Sequence, residues 1–583
     1  MTPDFLRLEC PSRAAAVCLV AGALLLPAPS PASACGGLFC NSATPVNQAA
    51  ERILFVDHGD GRTTAAIQIQ YQGSAERFAW VLPVADIDNP DEDIRVSSDQ
   101  ALERLQQATN PLYRLNTTVE GTCKDETQLT NLRGFGGASG GFAADGGVGT
   151  SQDDGGIVVE ASGTVGPFDF EFIAVLDGTD DPAQAAIDWL EENEYDLAGG
   201  EQLLRPYLEM GNKLLAVRLT SGSDTGSIRP LMVTYNGSKP AIPIRPTAVA
   251  AQDDMGVMVF VAGPERAIPK NYRLLELNDA LIDWFNPNAT YPEVVNRAAN
   301  ESGGHGFVTE YADDAAQLDN VIVGEQERAT WASFQLAAPG ASSDRELIDD
   351  SLQWWNWDGY LDALGAALTL PDGLQASDIR QCPTCYLDGA DERVSFDRQA
   401  FITVLYEMVV RPMFDTDDLL DAQAYVTRLY TTMSADEMTE DPVFDFNADL
   451  GSVSNQHVGE QYIMCSPMHT RAEAPFRVEL PSGAVVYGAE QNVWPILLDA
   501  ADPLPATRTI AQAGTSGEPV VVVDNVDMIE QALAVSNDAQ MVGDDSAGCG
   551  CRSVGQPATG SPLSALALFP LALMWLRRRS AKS

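Results

Sequence analysis

The sequence predicts an α+β protein. A mixed, mostly antiparallel sheet domain comes first, a more helical second region follows, and a short hydrophobic segment closes the chain. Three observations predict this. Ala66 to Tyr71 alternate apolar and polar side chains, the period of a strand with one buried face. Up to about residue 270, strand-like runs interleave with capped helices. Beyond that point, longer stretches repeat apolar residues at helical spacing.

In chain order, residues 52–57, 63–72 and 77–84 read as strands, with a hairpin turn at His58-Gly59-Asp60-Gly61. A helix starts at Ser97, where Ser97 and Gln100 form a capping box, and Asn110-Pro111 ends it. Residues 134–156 hold ten glycines and read as a flexible insertion. Strands resume over 157–165 and 168–176. Asp181 then caps a helix with Pro182 at its first position, and strands follow at 213–220, 230–235 and 256–262. Residues 274–285, 345–368 and 398–433 carry helical periodicity. Trp354, Trp355 and Trp357 lie within the second of these and read as core. Residues 475–540 return to short strands and loops.

The two ends read as addresses. Arg7 and Arg13 precede an apolar run from Ala14 to Leu26, too short to span a bilayer but suited to a signal peptide over 1–34. Ala32-Ser33-Ala34 is a cleavage site between Ala34 and Cys35. A lipobox with Cys35 as the lipidated residue is the rival reading. At the other end, Cys549 and Cys551 open a polar spacer (546–561). The apolar segment 562–576 follows, and Arg577, Arg578 and Arg579 lead the basic tail 577–583. That positive cluster belongs on the cytoplasmic side. The segment is a tail anchor or transmembrane helix on one reading and a cleaved sorting signal on another.

The body divides into an α+β domain at 35–268 and a helix-rich region at 269–545. The chain carries 83 acidic against 35 basic side chains, a net charge of -48. Such a surface does not suit nucleic acid, whose phosphates need a basic face. With an apolar fraction of 45%, the chain has material for real cores.

Six cysteines remain between the two ends, and an even count in an exported chain favours disulfides. The expected pairs are Cys35–Cys40 and Cys382–Cys385 as local bridges, with Cys123–Cys465 as a long-range staple. Cys382-Pro-Thr-Cys385 also fits a redox motif or half a zinc site, but its proline-rich setting reads as a loop clasp. Calcium is the one cofactor the sequence suggests, with Asp86, Asp88 and Asp91 as candidate ligands. Asp415, Asp417, Asp418 and Asp421 form a second acidic cluster. Gly137-Ala-Ser139-Gly-Gly141 matches a nucleophile elbow, yet lacks the strand before it and the helix after it. The four histidines show no metal-binding spacing. No catalytic residue is assigned.

Four segments resemble an exported bacterial domain-of-unknown-function family, DUF2330: Ala34-Cys-Gly-Gly-Leu-Phe-Cys40, Pro45 to Ile53, Gln68 to Gln72 with Phe78-Ala-Trp-Val-Leu-Pro83, and Val165-Gly-Pro-Phe168 with Trp189 to Asn193. The resemblance runs from about residue 34 to 270, with an echo between Asp441 and Asn455. It implies export and one common body, and no activity. The tail resembles the C-terminal sorting domains of myxobacterial surface proteins. That resemblance implies removal of the tail by a membrane protease and surface display. The expectation is an exported, surface-anchored protein in the cell envelope of a Gram-negative bacterium, structural or binding in role. Its partners would be signal peptidase, a C-terminal sorting protease and, transiently, the inner membrane. The alternative is a secreted hydrolase with a carboxylate-based site.

Overall fold

The computed structural model describes residues 38–40, 47–72, 78–124, 157–176, 178–193, 195, 201–219, 228–237, 239–249, 251–496 and 504–542. The signal peptide, Cys35 with its bridge to Cys40, the glycine-rich insertion with Ser139, and the tail with Cys549, Cys551 and Arg577–Arg579 lie outside them. Among the described residues no helix is long and apolar enough to cross a membrane.

The fold is mixed α+β, organised on a ten-stranded sheet. Its strands run in the order 520–524, 507–512, 273–277, 306–314, 425–433, 251–263, 47–57, 62–72, 231–236 and 94–96. Pairing is antiparallel except at 251–263 against 47–57 and 273–277 against 306–314. The strand Asn47–Asp57 sits near the middle and is buried on both faces. That is why Ile53-Leu-Phe-Val56 is continuously apolar rather than alternating.

On one face, Ile53, Phe55, Val257 and Val259 pack against Trp80, Leu82, Phe172 and Leu215 of a five-stranded sheet. The helices Pro182–Glu192 and Glu201–Glu209 cover the outside of that second sheet through Trp189, Leu190, Leu204 and Leu208. Asp181 caps the first of them by accepting a hydrogen bond from the Gln184 amide. On the opposite face, Leu54, Val56 and Phe260 pack under helices that include Asp99–Thr109, Asp344–Trp355, Arg398–Leu405 and Arg411–Asp421. Trp355 is fully buried there, with Trp331 and Trp357 edge-on at 5.2 Å each. The far end of this face is covered by a four-stranded sheet, 485–488, 476–479, 456–465 and 112–121, and by the helices Pro287–Glu301 and Val526–Val542.

Several expectations are corrected. The division at residues 268 and 269 separates no structural unit, because Met255–Gly263 pairs with Tyr425–Met433. Strand pairing is non-local, and periodicity along the chain does not register it. Residues 274–285 are not a helix. Leu274 and Leu275 pair in parallel with Phe307 and Val308, and only Asp279–Leu281 makes a short 3-10 turn. The apolar spacing there serves two different partners. The helical reading of 398–433 holds to Asp421. Tyr425–Met433 is then a central strand, consistent with its β-branched and aromatic content. Residues 475–540 include a helix of 17 residues, Val526–Val542. The cap of the first long helix is Ser98, whose Oγ accepts from the Gln100 amide, while Ser97 Oγ bonds Thr416.

Candidate functional site

The helical cover and the four-stranded cover leave a gap between them on the ten-stranded sheet, and charged residues fill its floor. Arg428, on the strand Tyr425–Met433, and Glu310, at a bulge in Gly306–Asp314, form an ion pair at 2.5 Å with both side chains almost fully buried. A second arm of the guanidinium donates to Gln106 O at 2.9 Å, Thr109 Oγ1 at 3.1 Å and Asn110 Oδ1 at 2.9 Å, the end of the helix Asp99–Thr109. The Tyr291 hydroxyl donates to the other Glu310 oxygen. Burial raises the Glu310 carboxyl, and Arg428 opposes that rise. The bonds from Tyr291 and to the end of the helix Asp99–Thr109 satisfy part of each ion's hydrogen-bonding capacity and so offset part of the cost of burying the pair.

An aromatic stack stands over this pair. The strands Leu112–Gly121 and Gln456–Cys465 run parallel, with Tyr113 the register partner of His457. In a parallel pair, register partners project from the same face. The two rings stack with centroids 4.6 Å apart and planes 12° from parallel. Trp284 meets Tyr113 edge-on at 5.0 Å, and Tyr291 lies 5.8 Å away. Burial lowers the His457 pKa and so favours the neutral ring. At the other end of the same strand pair, the Cys123–Cys465 disulfide closes over a Cα separation of 4.6 Å. Gly121 is required beside it. Its φ is +82°, and a Cβ would come within 2.4 Å of the Cys465 carbonyl oxygen.

The result is a two-lobed cleft. One lobe, of about 550 Å³, is lined by His457, Asp279, Ser482, Arg266 and Arg508. The other, of about 510 Å³, is lined by Arg52, Gln106, Asn110, Arg428 and Tyr430. Pro111, Tyr113, Tyr291 and Glu310 line both. Each lobe has the size of a small-molecule site. In the first, Ser482 donates to Asp279 through its hydroxyl at 2.6 Å and its amide at 3.2 Å, and burial raises the Asp279 pKa. In the second, burial lowers the Arg52 pKa and pushes Glu51 up to about 7. Glu51 Oε2 has no hydrogen-bond partner among the described residues. The Ser482–Asp279 and Tyr291–Glu310 groups are thus held by bonds to one another, whereas Glu51 is held by burial alone.

None of these residues was a candidate in the sequence. Arg428 and Glu310 are charges within β-branched strands, and that is the one signal available. The candidates from sequence are placed elsewhere. Asp86 accepts from Lys213 at 2.6 Å, Asp88 from Asn236 at 2.8 Å, and Asp91 sits in the first turn of the short helix Pro90–Asp93. They do not converge, and among the described residues no group of three or more His, Cys, Asp or Glu is placed to hold a metal. In the second acidic cluster Asp415 pairs with Arg95 at 2.6 Å, and Asp417 and Asp418 pair with Arg328 at 2.5 and 2.6 Å. Cys382 and Cys385 are joined, with Cα atoms 5.4 Å apart. Cys382 lies at the corner between the short helices Ala376–Gln381 and Pro383–Tyr386, and Cys385 lies within the second, rather than in an open loop. His58, His305 and His469 bond Thr64, Thr439 and Ser466 at separate places.

These features define a class first: a mixed α+β protein with a pre-arranged cleft between two covers of one large sheet. The chain belongs to the DUF2330 family, described as an uncharacterized protein conserved in bacteria, whose model matches residues 29–445. The match extends beyond residue 270 through the helical cover. It includes the whole Arg52 lobe, whereas His457, Ser482 and Arg508 of the other lobe fall outside it. No curated protein and no solved structure matches the chain.

Proposed function

We propose that this chain is an exported, surface-anchored cell-envelope protein whose role is binding, with the two-lobed cleft as its ligand site. One observation carries the binding reading. Glu310, Arg428 and Tyr291 are engaged with one another in the shared wall, which makes a rigid, pre-formed pocket rather than a set of free acids and bases. The Cys123–Cys465 bridge supports export, because a disulfide between distant segments persists in an oxidising compartment. The signal peptide at 1–34 and the basic tail supply the route. Signal peptidase would act at Ala34–Cys35, and a sorting protease near Cys549 and Cys551. The test is fractionation of native cells, followed by mass spectrometry of the recovered protein under native and denaturing conditions. An envelope location, a trimmed mass and a small molecule lost on denaturation are expected. A cytoplasmic protein with reduced Cys123 and Cys465 would overturn the reading.

The second reading is a hydrolase with a carboxylate-based site. It rests on Asp279 and Glu310, which line the same lobe and are both raised by burial. Turnover of nitrophenyl esters or glycosides that Asp279→Asn abolishes without loss of folding would favour it over binding.

A further inference from the structure

One lobe of the cleft holds a cation that the fold leaves unpaired. Arg52 stands on the strand Asn47–Asp57, just before the apolar run Ile53 to Val56, and is half-buried. Its Nη1 is buried with no hydrogen-bond partner. Among the described residues, Arg52 is the one arginine or lysine that is not exposed and yet makes neither an ion pair nor a hydrogen bond. Other partly buried arginines are bonded, as Arg95 is to Asp415 and Arg104 to Glu327. Asp99 and Glu103 act on Arg52 only from beyond ion-pair distance. Asp99 accepts from Gln68 instead, and Glu103 from Gln107. Glu51 also borders the lobe, but neighbours in a strand project from opposite faces. Glu51 lies with Ile53, Phe55 and Trp80 on the other face of the sheet. Taking a charge out of water without a partner is costly. The chain has 83 acidic side chains to 35 basic ones, so carboxylates are not scarce.

The rest of the lobe fits one kind of partner. Arg52 and Glu310 lie on strands three places apart in the ten-stranded sheet, so the lobe runs about 14 Å across it. Arg52 marks one end. At the other, Glu310 and Arg428 neutralise each other. Met258, Tyr430, Tyr113, Tyr291 and Pro292 give the lobe an apolar and aromatic lining. Asn110 Oδ1 is taken by Arg428, which leaves the carboxamide NH2 as a donor without a partner among the described residues. We infer that this lobe takes a small organic carboxylate, with its acid group on Arg52 and its apolar body along Met258 and the tyrosines. The inference rests on the reading of the cleft as a ligand site. A single free guanidinium matches the single charge of a carboxylate, which its planar fork can hold through two hydrogen bonds. A phosphate dianion lacks a second free cation here, and a net charge of -48 repels it more strongly than a monoanion.

The experiment is isothermal titration calorimetry of the purified chain, wild type and Arg52→Met, with 3-phenylpropionate, its neutral amide, 3-phenylpropylamine and phenyl phosphate. The wild type should bind the acid saturably and at least about tenfold more tightly than each of the others. Arg52→Met should weaken the acid at least about tenfold and change the amide by no more than about twofold. The variant should keep the wild-type melting temperature, because the side chain gives up no bond. The comparison of acid with amide is made on the wild type alone and does not depend on the variant. A smaller preference for the acid, or an acid affinity that Arg52→Met leaves unchanged, overturns the inference and leaves the binding reading in place. Failure of all the probes to bind overturns both.

Discussion

Tyr113 and His457 stack ring on ring at 4.6 Å because they are register partners in a parallel strand pair. They stand 344 residues apart in the chain, the separation recorded for the neighbouring Asn116–Glu460 and Thr117–Gln461 contacts of the same register. The stack roofs the shared wall of the cleft. Its neutral state has a consequence for stability. Burial holds the His457 pKa below its ordinary 6.5, so the unfolded chain binds the extra proton more readily than the folded one. Stability is therefore lost as pH falls below about 6.5. His457→Phe keeps a ring in the stack and removes the titration. Melting temperatures at pH 5 and 8 should differ less for the variant than for the wild type. An equal difference in both would refute the assignment.

Removing one partner of the Glu310–Arg428 pair strands a buried charge. Arg428→Met should cost about 3–5 kcal/mol. Adding Glu310→Leu should restore part of that loss by removing the stranded carboxylate. Chemical denaturation of the two single variants and the double variant measures the coupling. Simple additivity would mean that the pair does not interact.

Glu51 gives the opposite pH dependence to His457. Its carboxyl is buried, one oxygen lacks a partner, and its pKa stands at about 7 against an ordinary 4.5. The folded chain thus holds the proton more tightly between these values. Its contribution is present below about 4.5 and is lost as pH rises through about 7. Glu51→Gln should stabilise the protein at pH 8, by about 2–3 kcal/mol, and have little effect at pH 5. A variant equally stabilised or destabilised at both pH values would show that Glu51 does not titrate there.

The two disulfides should differ in weight. Cys123–Cys465 joins residues separated by 342 positions, while Cys382–Cys385 spans three. Loop-closure entropy favours the longer bridge, so Cys123→Ser with Cys465→Ser should cost about 2–4 kcal/mol. The corresponding change at Cys382 and Cys385 should cost clearly less. Melting curves of both double variants decide it, and equal losses would contradict the entropic account.

Much of the fold was legible because it is written locally. The alternation at Ala66 to Tyr71 and the Asp181-Pro182 cap act through residues near in sequence, and the structure carries both of them. The cleft was not legible. Arg428, Glu310, Tyr291, Tyr113 and His457 come from five separate elements, and no spacing connects them. The acidic candidates are drawn apart for a related reason. Asp86 and Asp88 stand two positions apart in sequence, but Lys213 and Asn236 reach them from distant strands and give them different partners.

By itself, then, the sequence determined the class of the fold, its strongly acidic character and a few helix starts such as the one capped by Asp181, because propensity, charge and capping are properties of short segments. Tertiary structure alone decided that residues on both sides of 268 share one sheet, that Leu274 and Leu275 form a strand, and where the cleft lies. Those outcomes depend on which surfaces pair and which charges are buried together. Pairing across hundreds of residues is settled by burial and hydrogen-bond satisfaction in three dimensions.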